Sequence, residues 1–466
     1  MRRGGRGRRA ALLCLVAFAV YASTIGLDAF GDSDYGGDEP HQLLTAISIV
    51  DDGSPNLIDE YRAREYSEYY PYELRPRGVL TAGNLNEPHG LGFPLLIAPA
   101  WAIGGETGVE LFLAAIAALV VALAYLLALR AVPDPWALGA TVAVAISPPM
   151  LAYSTAVHAD LAAAAALAGA ALIALRMDEH PSRRLSVACF FLLSTLPWLD
   201  IRFAPAGIVV AGFALAALRK AGRRWATLVS LEIPAVSIAV FLSINDNLYG
   251  GPTPHSAGLG GDETGTGTSF PLGYLERSYR LVALFLDREA GLVRWAPVLA
   301  LAFAGVWLLV RERGRRLARA IPALRREERA VSLCALVCGV QLLVAAFLAP
   351  TMFGFWFPGR HLIVVLPLAV PLVAFGLRRF ARVGAALAAL TAVASAWLYA
   401  DLRWGGGAWI DARPDAPWGP LEAVFPLFEE GSAVPFAVAA LLGAAAAGAL
   451  LAAIAGSRWK ALRGTP

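Results

Sequence analysis

Three short stretches concentrate ionisable side chains in a chain that otherwise has few: Gly37-Asp38-Glu39-Pro40-His41, Glu87-Pro88-His89-Gly90 and Val157-His158-Ala159-Asp160. Adjacent carboxylates can take a proton, hold a cation, or cap the helix that follows. Asp38 and Glu39 stand directly ahead of a segment, His41 to Val50, with helical apolar spacing, so capping and chemistry both fit. Asp160 opens an apolar run and carries the same two readings. His158, two positions away, suits a proton shuttle, a metal ligand or a solvated turn. Asp32 and Asp34 form Asp-x-Asp, a weak candidate pair for a divalent metal. Few cations accompany them: Arg202 in Trp198-Leu199-Asp200-Ile201-Arg202, Arg288 between Asp287 and Glu289, Arg294, and Arg360 followed by His361. A guanidinium presents a planar fork that matches phosphate oxygens. Asp200 and the acidic neighbours of Arg288 are the partners that would otherwise satisfy two of these cations.

The elements that must position these groups are membrane spans. Of 466 residues, 58% are hydrophobic and 16% charged, and the apolar residues form long blocks nearly free of charge. That pattern is an all-α polytopic membrane protein. Hydropathy predicts about 12 spans, near 10–30, 107–130, 135–155, 160–176, 185–199, 204–219, 225–243, 295–311, 330–350, 361–377, 383–400 and 433–455. The net charge of +3 says little; its distribution says more. Basic clusters at the amino terminus, Arg130, Arg183-Arg184, Arg219 to Arg224, Arg311 to Arg329, Arg378 to Arg382 and Arg458 to Arg463 fall on one side, which the positive-inside rule assigns to the cytoplasm with both termini. The acidic stretches then lie on the external face of the cell membrane. There the loop 31–106 is expected to hold short in-plane helices, given its tyrosines and the Pro- and Gly-rich run Leu91 to Ala102. Loops 244–294 and 401–432 face the same way, and residues 1–466 read as one transmembrane domain without a separate soluble one. Cys14, Cys189, Cys334 and Cys338 all sit in apolar segments and read as packing residues.

A cationic amino terminus, one span, a large external loop opening with Asp38-Glu39, then Glu87-Pro88-His89-Gly90 leading into an interfacial helix, resembles the GT-C superfamily of membrane glycosyltransferases. The likeness is to the branch of protein O-mannosyltransferases and aminoarabinose transferases. Val157-His158-Ala159-Asp160 and Gly359-Arg360-His361 extend it, while His89-Gly90-Leu91-Gly92 departs from the His-Pro-Pro element of the mannosyltransferases. The resemblance implies an inverting transfer of a sugar from a polyprenyl-phosphate donor to an external hydroxyl-bearing acceptor, a cell-envelope glycan, lipid or protein. By that analogy Asp38 is the general base, with Glu39 as the nearest alternative, and Asp160 binds sugar or acceptor across the cavity. His89, His158, Arg202, Arg288, Arg360 and His361 are expected to bind substrate, with Arg360 on the lipid phosphate and the aromatics from Phe353 to Phe357 on the prenyl chain. A divalent metal at Asp32 and Asp34 stays open, as that spacing binds metal in other glycosyltransferases.

The basic segment 311–329 is explained by anionic lipid rather than nucleic acid. Gly258 to Thr268 lacks the Lys-Ser/Thr ending and preceding strand of a phosphate loop. A transporter or lipid-linked-sugar flippase without covalent chemistry is the second class in play. Transporters place ionisable residues midway along broken helices in related halves, whereas here the acids gather at one face.

Overall fold

A computed structural model of the chain describes residues 3–410 apart from 79, 223, 258–271 and 313–321, together with parts of 424–444. Up to residue 400 a helix lies at each place where hydropathy predicts a span: α1 (Arg3–Ala22), α4 (Gly92–Ala131), α5 and α6 (Trp136–Ala145, Pro148–Tyr153), α7 (Asp160–Glu179), α8 (Arg183–Leu199), α9 (Ala204–Lys220), α10 (Arg224–Tyr249), α14 (Ala300–Glu312), α15 (Pro322–Leu343), α17 (Leu366–Arg379) and α18 (Ala381–Ala400). Between them lie α2 (Glu39–Asp51), α3 (Ile58–Ala63), the short helices α11 (Leu272–Glu276), α12 (Arg280–Leu286) and α13 (Leu292–Trp295), and α16 (Arg360–Ile363). The predicted span 433–455 and the loop 401–432 fall largely outside the described residues.

Among the described residues, 6 helices are long and apolar enough to cross a bilayer by length and composition. The chain is a multi-pass membrane protein, and among the described residues there is almost no strand, the one sheet being the hairpin of β1 (Leu80–Thr81) and β2 (Asn84–Leu85). Hydrocarbon offers no hydrogen-bond partners, so helices, whose backbone groups are paired internally, are the economical way through. Packing follows side-chain size. α7 is built largely of alanine and is buried along its length, which lets α4, α8 and α9 approach it closely. α10, by contrast, has only 11% of its most apolar window buried and exposes Val236, Ile238 and Val240. Such an apolar surface is what a helix presents to lipid.

The stretch between α1 and α4 is the least regular part and carries the first acidic cluster. Pro40 occupies the first turn of α2, where its missing N–H costs nothing. α2 is buried from Glu39 to Ser48 and packs on α4. α4 begins at Gly92, inside the segment expected to be a separate interfacial helix. It leaves helical geometry at Gly104 (φ −143°) and Gly105 (φ +57°), so residues 92–103 and 106–131 are two helical pieces joined at a bend.

The helices sort charge to two ends. Asp160 begins α7 and Arg176 lies in its last turn; α8 runs back from Arg183 to Leu199, and α9 ends on Arg219 and Lys220. Asp38, Asp160, Asp200, Arg202 and Arg360 therefore collect at one end. At the other, Arg130 pairs with Glu179 at 2.9 Å, Arg329 with Asp178 at 3.2 Å and Arg9 with Asp134 at 2.6 Å.

Candidate active site

Two glycines aim the central pair. Gly37 has φ +59°, and a Cβ there would come within 2.5 Å of the Phe355 carbonyl oxygen; Gly359 has φ +95°, and a Cβ there would meet Leu292 at 2.5 Å. Glycine alone takes this backbone region freely. Each is followed directly by a functional side chain, Asp38 or Arg360, and the two meet across the chain. Arg360 Nη1 donates to Asp38 Oδ2 at 2.9 Å. The other carboxylate oxygen accepts from Arg77 Nη1, while Arg77 Nη2 donates to the Gly37 carbonyl at 3.2 Å.

Asp38, His89, His158, Asp160, Arg202 and Arg360 line one cavity of about 220 Å³. Asp38 stands at the N-cap of α2 without a side-chain capping bond, and Asp160 opens α7. Their carboxylates face Arg360, whose Nε lies 3.9 Å from Asp160 Oδ2. The Arg360 guanidinium sits 4.8 Å from the ring centroid of Trp356, a cation–π contact that helps fix its plane. Arg202 is held by Asp200, its Nε donating at 2.8 Å, and reaches His361 Nδ1 at 3.4 Å. His361 Nε2 is 3.0 Å from the Thr351 carbonyl oxygen, which can only accept. The ring is thus protonated on Nε2 and accepts through Nδ1.

Burial pushes the Asp38 carboxyl up, but the Arg360 guanidinium, supported by His89 and Arg77, outweighs it and holds the group well below the usual carboxylate range. Burial lowers His89 to about 4 against the pull of Asp38. Burial and the Arg360 charge keep His158 well below the ordinary imidazole value. At neutral pH the cavity thus holds an ionised Asp38 beside two uncharged imidazoles. His89 Nε2 and Arg360 Nε are both buried without a hydrogen-bond partner, and His89 Nε2 lies 4.0 Å from Asp38 Oδ1. Buried polar atoms left in that state are costly and point to a ligand.

Glu39 is differently employed. Its carboxylate accepts from the Gly36 N–H at 2.8 Å and the Val157 N–H at 2.7 Å, tying the first acidic loop to the turn that carries His158. It lines a second, smaller pocket with Asp34 and Glu110. Burial pushes Glu39 up to about 7, opposed by those two N–H donors. A carboxyl raised on folding stabilises the fold most below its unfolded value, and that contribution is lost as pH rises through about 7. Glu39→Gln is a neutral substitute that loses one accepted hydrogen bond, about 1 kcal/mol, at every pH. The difference in thermal midpoint, wild type minus Glu39→Gln, is expected to fall from pH 5 to pH 8 and to change sign, because the loss in wild type exceeds the cost of one hydrogen bond; a constant difference would contradict this assignment.

Three sequence candidates lie apart from the cavity. Arg288 donates to the Phe425 carbonyl at 3.2 Å, Arg294 donates to the Arg288 carbonyl beside the Trp295 ring, and His361 backs Arg202 rather than lining the wall. For a metal the donor set does not fit. Asp32 is exposed, Asp34 is half-buried, and among the described residues no three His, Cys, Asp or Glu side chains converge as ligands.

Arg77 is the contact that sequence reasoning missed. The signal was the Glu87 motif: Glu87 Oε1 accepts from the Arg77 backbone N–H at 3.1 Å and from the Tyr61 hydroxyl at 2.5 Å, and lies 3.4 Å from His41 Nδ1. A buried carboxylate thereby pins the loop that delivers Arg77 to Asp38.

No protein-family profile matches the sequence, and no curated protein matches it. Solved structures do. ArnT from Cupriavidus metallidurans bound to undecaprenyl phosphate superposes with a TM-score of 0.53 at 14% identity, over 84% of this chain and 71% of ArnT. The apo state of the same protein gives 0.52 at 14% identity, over 84% of this chain and 64% of ArnT. At that identity the likeness is one of architecture. The chain has the fold of ArnT, an aminoarabinose transferase of the GT-C glycosyltransferases.

Proposed function

We propose that this protein is an inverting membrane glycosyltransferase that moves a sugar from a polyprenyl-phosphate donor to a hydroxyl-bearing acceptor of the cell envelope. The observation that carries the reading is the Asp38 carboxylate set against Arg360 in a cavity also lined by Gln42, Asp160, Asp200, Arg202 and three histidines, of which His89 and His158 are held neutral. Asp38 accepts the proton of the acceptor hydroxyl as its oxygen bonds to the anomeric carbon. The bond from that carbon to the phosphate oxygen breaks, and the electron pair leaves with the phosphate, which Arg360 holds. Asp160, 3.9 Å from Arg360 Nε, faces the sugar or the acceptor. The cavity opens at the helix ends opposite the basic clusters, which is the external side if those clusters face the cytoplasm.

A third cavity, apolar and of about 410 Å³, between α14, α15 and α17 supports a lipid donor. Leu362 lines it, two residues along α16 from Arg360, so one short helix carries the phosphate ligand and the start of an apolar channel. A Cβ on Gly339, in the wall, meets no atom within 4 Å. A side chain can therefore start there without a clash at Cβ, and Gly339→Trp, which places an indole at the wall of the channel, is expected to raise the donor KM roughly tenfold while kcat stays within about twofold, an effect of about 1.4 kcal/mol. An unchanged KM would place the chain elsewhere.

The function is tested with purified protein in nanodiscs, lipid-linked radiolabelled sugars and an envelope extract as acceptor source. Label appearing in acceptor with release of polyprenyl phosphate is the expected result. Movement of intact donor across the bilayer without release would identify a flippase instead.

A further inference from the structure

The Asp38 carboxylate is in the wrong company for a base. One oxygen is engaged by Arg77 and the other by Arg360, and a carboxylate shared by two guanidiniums has little affinity for a proton. The same two forks would suit a phosphate, which presents the same kind of oxygen edge and carries at least as much charge. The two arms differ in freedom. Arg360 is buried, preceded by Gly359 and packed over Trp356, whereas the Arg77 side chain is 43% exposed and reaches in from the loop that Glu87 anchors. Arg360 Nε and His89 Nε2, both without a hydrogen-bond partner, flank the same spot.

We propose that Arg77 and Arg360 form a two-armed anion clamp whose resident occupant is the Asp38 carboxylate, and that the donor phosphate takes both arms over and so releases Asp38 to act as base. The inference rests on the polyprenyl-phosphate reading above. It makes Arg77 a phosphate ligand and makes donor binding a precondition for proton abstraction. The acceptor O–H proton passes to the freed Asp38 oxygen, and the departing phosphate leaves with its electron pair already held by both guanidiniums. An acceptor arriving before the donor meets a blocked base, so the enzyme is protected from activating its acceptor, or water, without a donor in place.

The test is a binding experiment with polyprenyl phosphate on wild type, Asp38→Asn, Arg77→Gln, Arg77→Lys and the double variant in nanodiscs. Asp38→Asn is expected to bind the probe roughly tenfold tighter, because the internal competitor is gone. Arg77→Gln is expected to bind about tenfold weaker and Arg77→Lys to recover most of the loss. In the Arg77→Gln background the gain from Asp38→Asn should fall to about threefold or less, since one contested arm is absent. An affinity that is unchanged or weaker in Asp38→Asn overturns the competition. Equal tightening in both backgrounds assigns the effect to charge repulsion and removes Arg77 from the clamp. Should Asp38→Asn fail to fold, Arg77→Gln and Arg77→Lys decide alone: the exposed position tolerates replacement, and equal affinity in all three proteins rejects the proposal. Wild type that binds no polyprenyl phosphate defeats the donor reading itself, whereas binding without these differences defeats only the clamp.

Discussion

Asp38→Asn is expected to lower sugar transfer by at least about a hundredfold, the lower range for loss of a positioned general base. The amide keeps an oxygen that can accept from Arg360 but has no lone pair basic enough to take the acceptor proton. Folding should survive. The carboxylate is buried between two cations, Arg360 and Arg77, yet the amide leaves Arg360 with Asp160 3.9 Å away and Arg77 able to swing to solvent. The measurement is steady-state turnover of lipid-linked sugar beside a thermal unfolding curve for each protein. Turnover within a few-fold of wild type would remove Asp38 as base, and Glu39 could not replace it, because its carboxylate is committed to two backbone N–H groups.

Arg360→Ala carries the second large effect, with two readouts. Donor affinity is expected to fall by about a hundredfold, the loss of a buried charge-assisted contact worth roughly 1.5–3 kcal/mol. The pH profile of kcat/KM should move as well. Burial alone would raise Asp38, and Arg360 is the largest of the influences that overcome it. Without Arg360 the Asp38 carboxyl rises, so the acid limb of the profile shifts to higher pH and the variant loses activity on mild acidification where wild type does not. An acid limb that stays put, or an unchanged donor affinity, would separate Arg360 from both roles.

Much of this site was legible in the sequence because polar residues are expensive in so apolar a chain. Asp38, His89, His158, Asp160, Arg202 and Arg360 stand out against long uncharged blocks, and all six line one cavity. The helix positions were readable for the same reason, since hydropathy is a property of the segment alone. What hydropathy does not carry is direction. Asp38 and Glu39 are adjacent in sequence, but the chain turns at Gly37 and sends one carboxylate into the cavity and the other to the Gly36 and Val157 N–H groups. Arg77 was hidden among the loop's other charged residues, and only the fold shows that Glu87, ten residues on, holds its backbone. Arg288 looked like a candidate by side and charge, yet its guanidinium is spent on the Phe425 carbonyl. The Pro- and Gly-rich stretch ahead of residue 107 marked a real break: helical geometry is lost at Gly104 and Gly105, which divides the piece starting at Gly92 from the span that follows.

The central claim is that a lipid phosphate enters the Asp38 cavity and is held by Arg360. A structure of the protein with bound polyprenyl phosphate tests it most directly. The account predicts phosphate oxygens about 2.7–2.9 Å from the Arg360 guanidinium, with the prenyl chain running past Leu362 toward Gly339. A phosphate bound at the basic ends of the helices, or anywhere out of reach of Arg360, would contradict it.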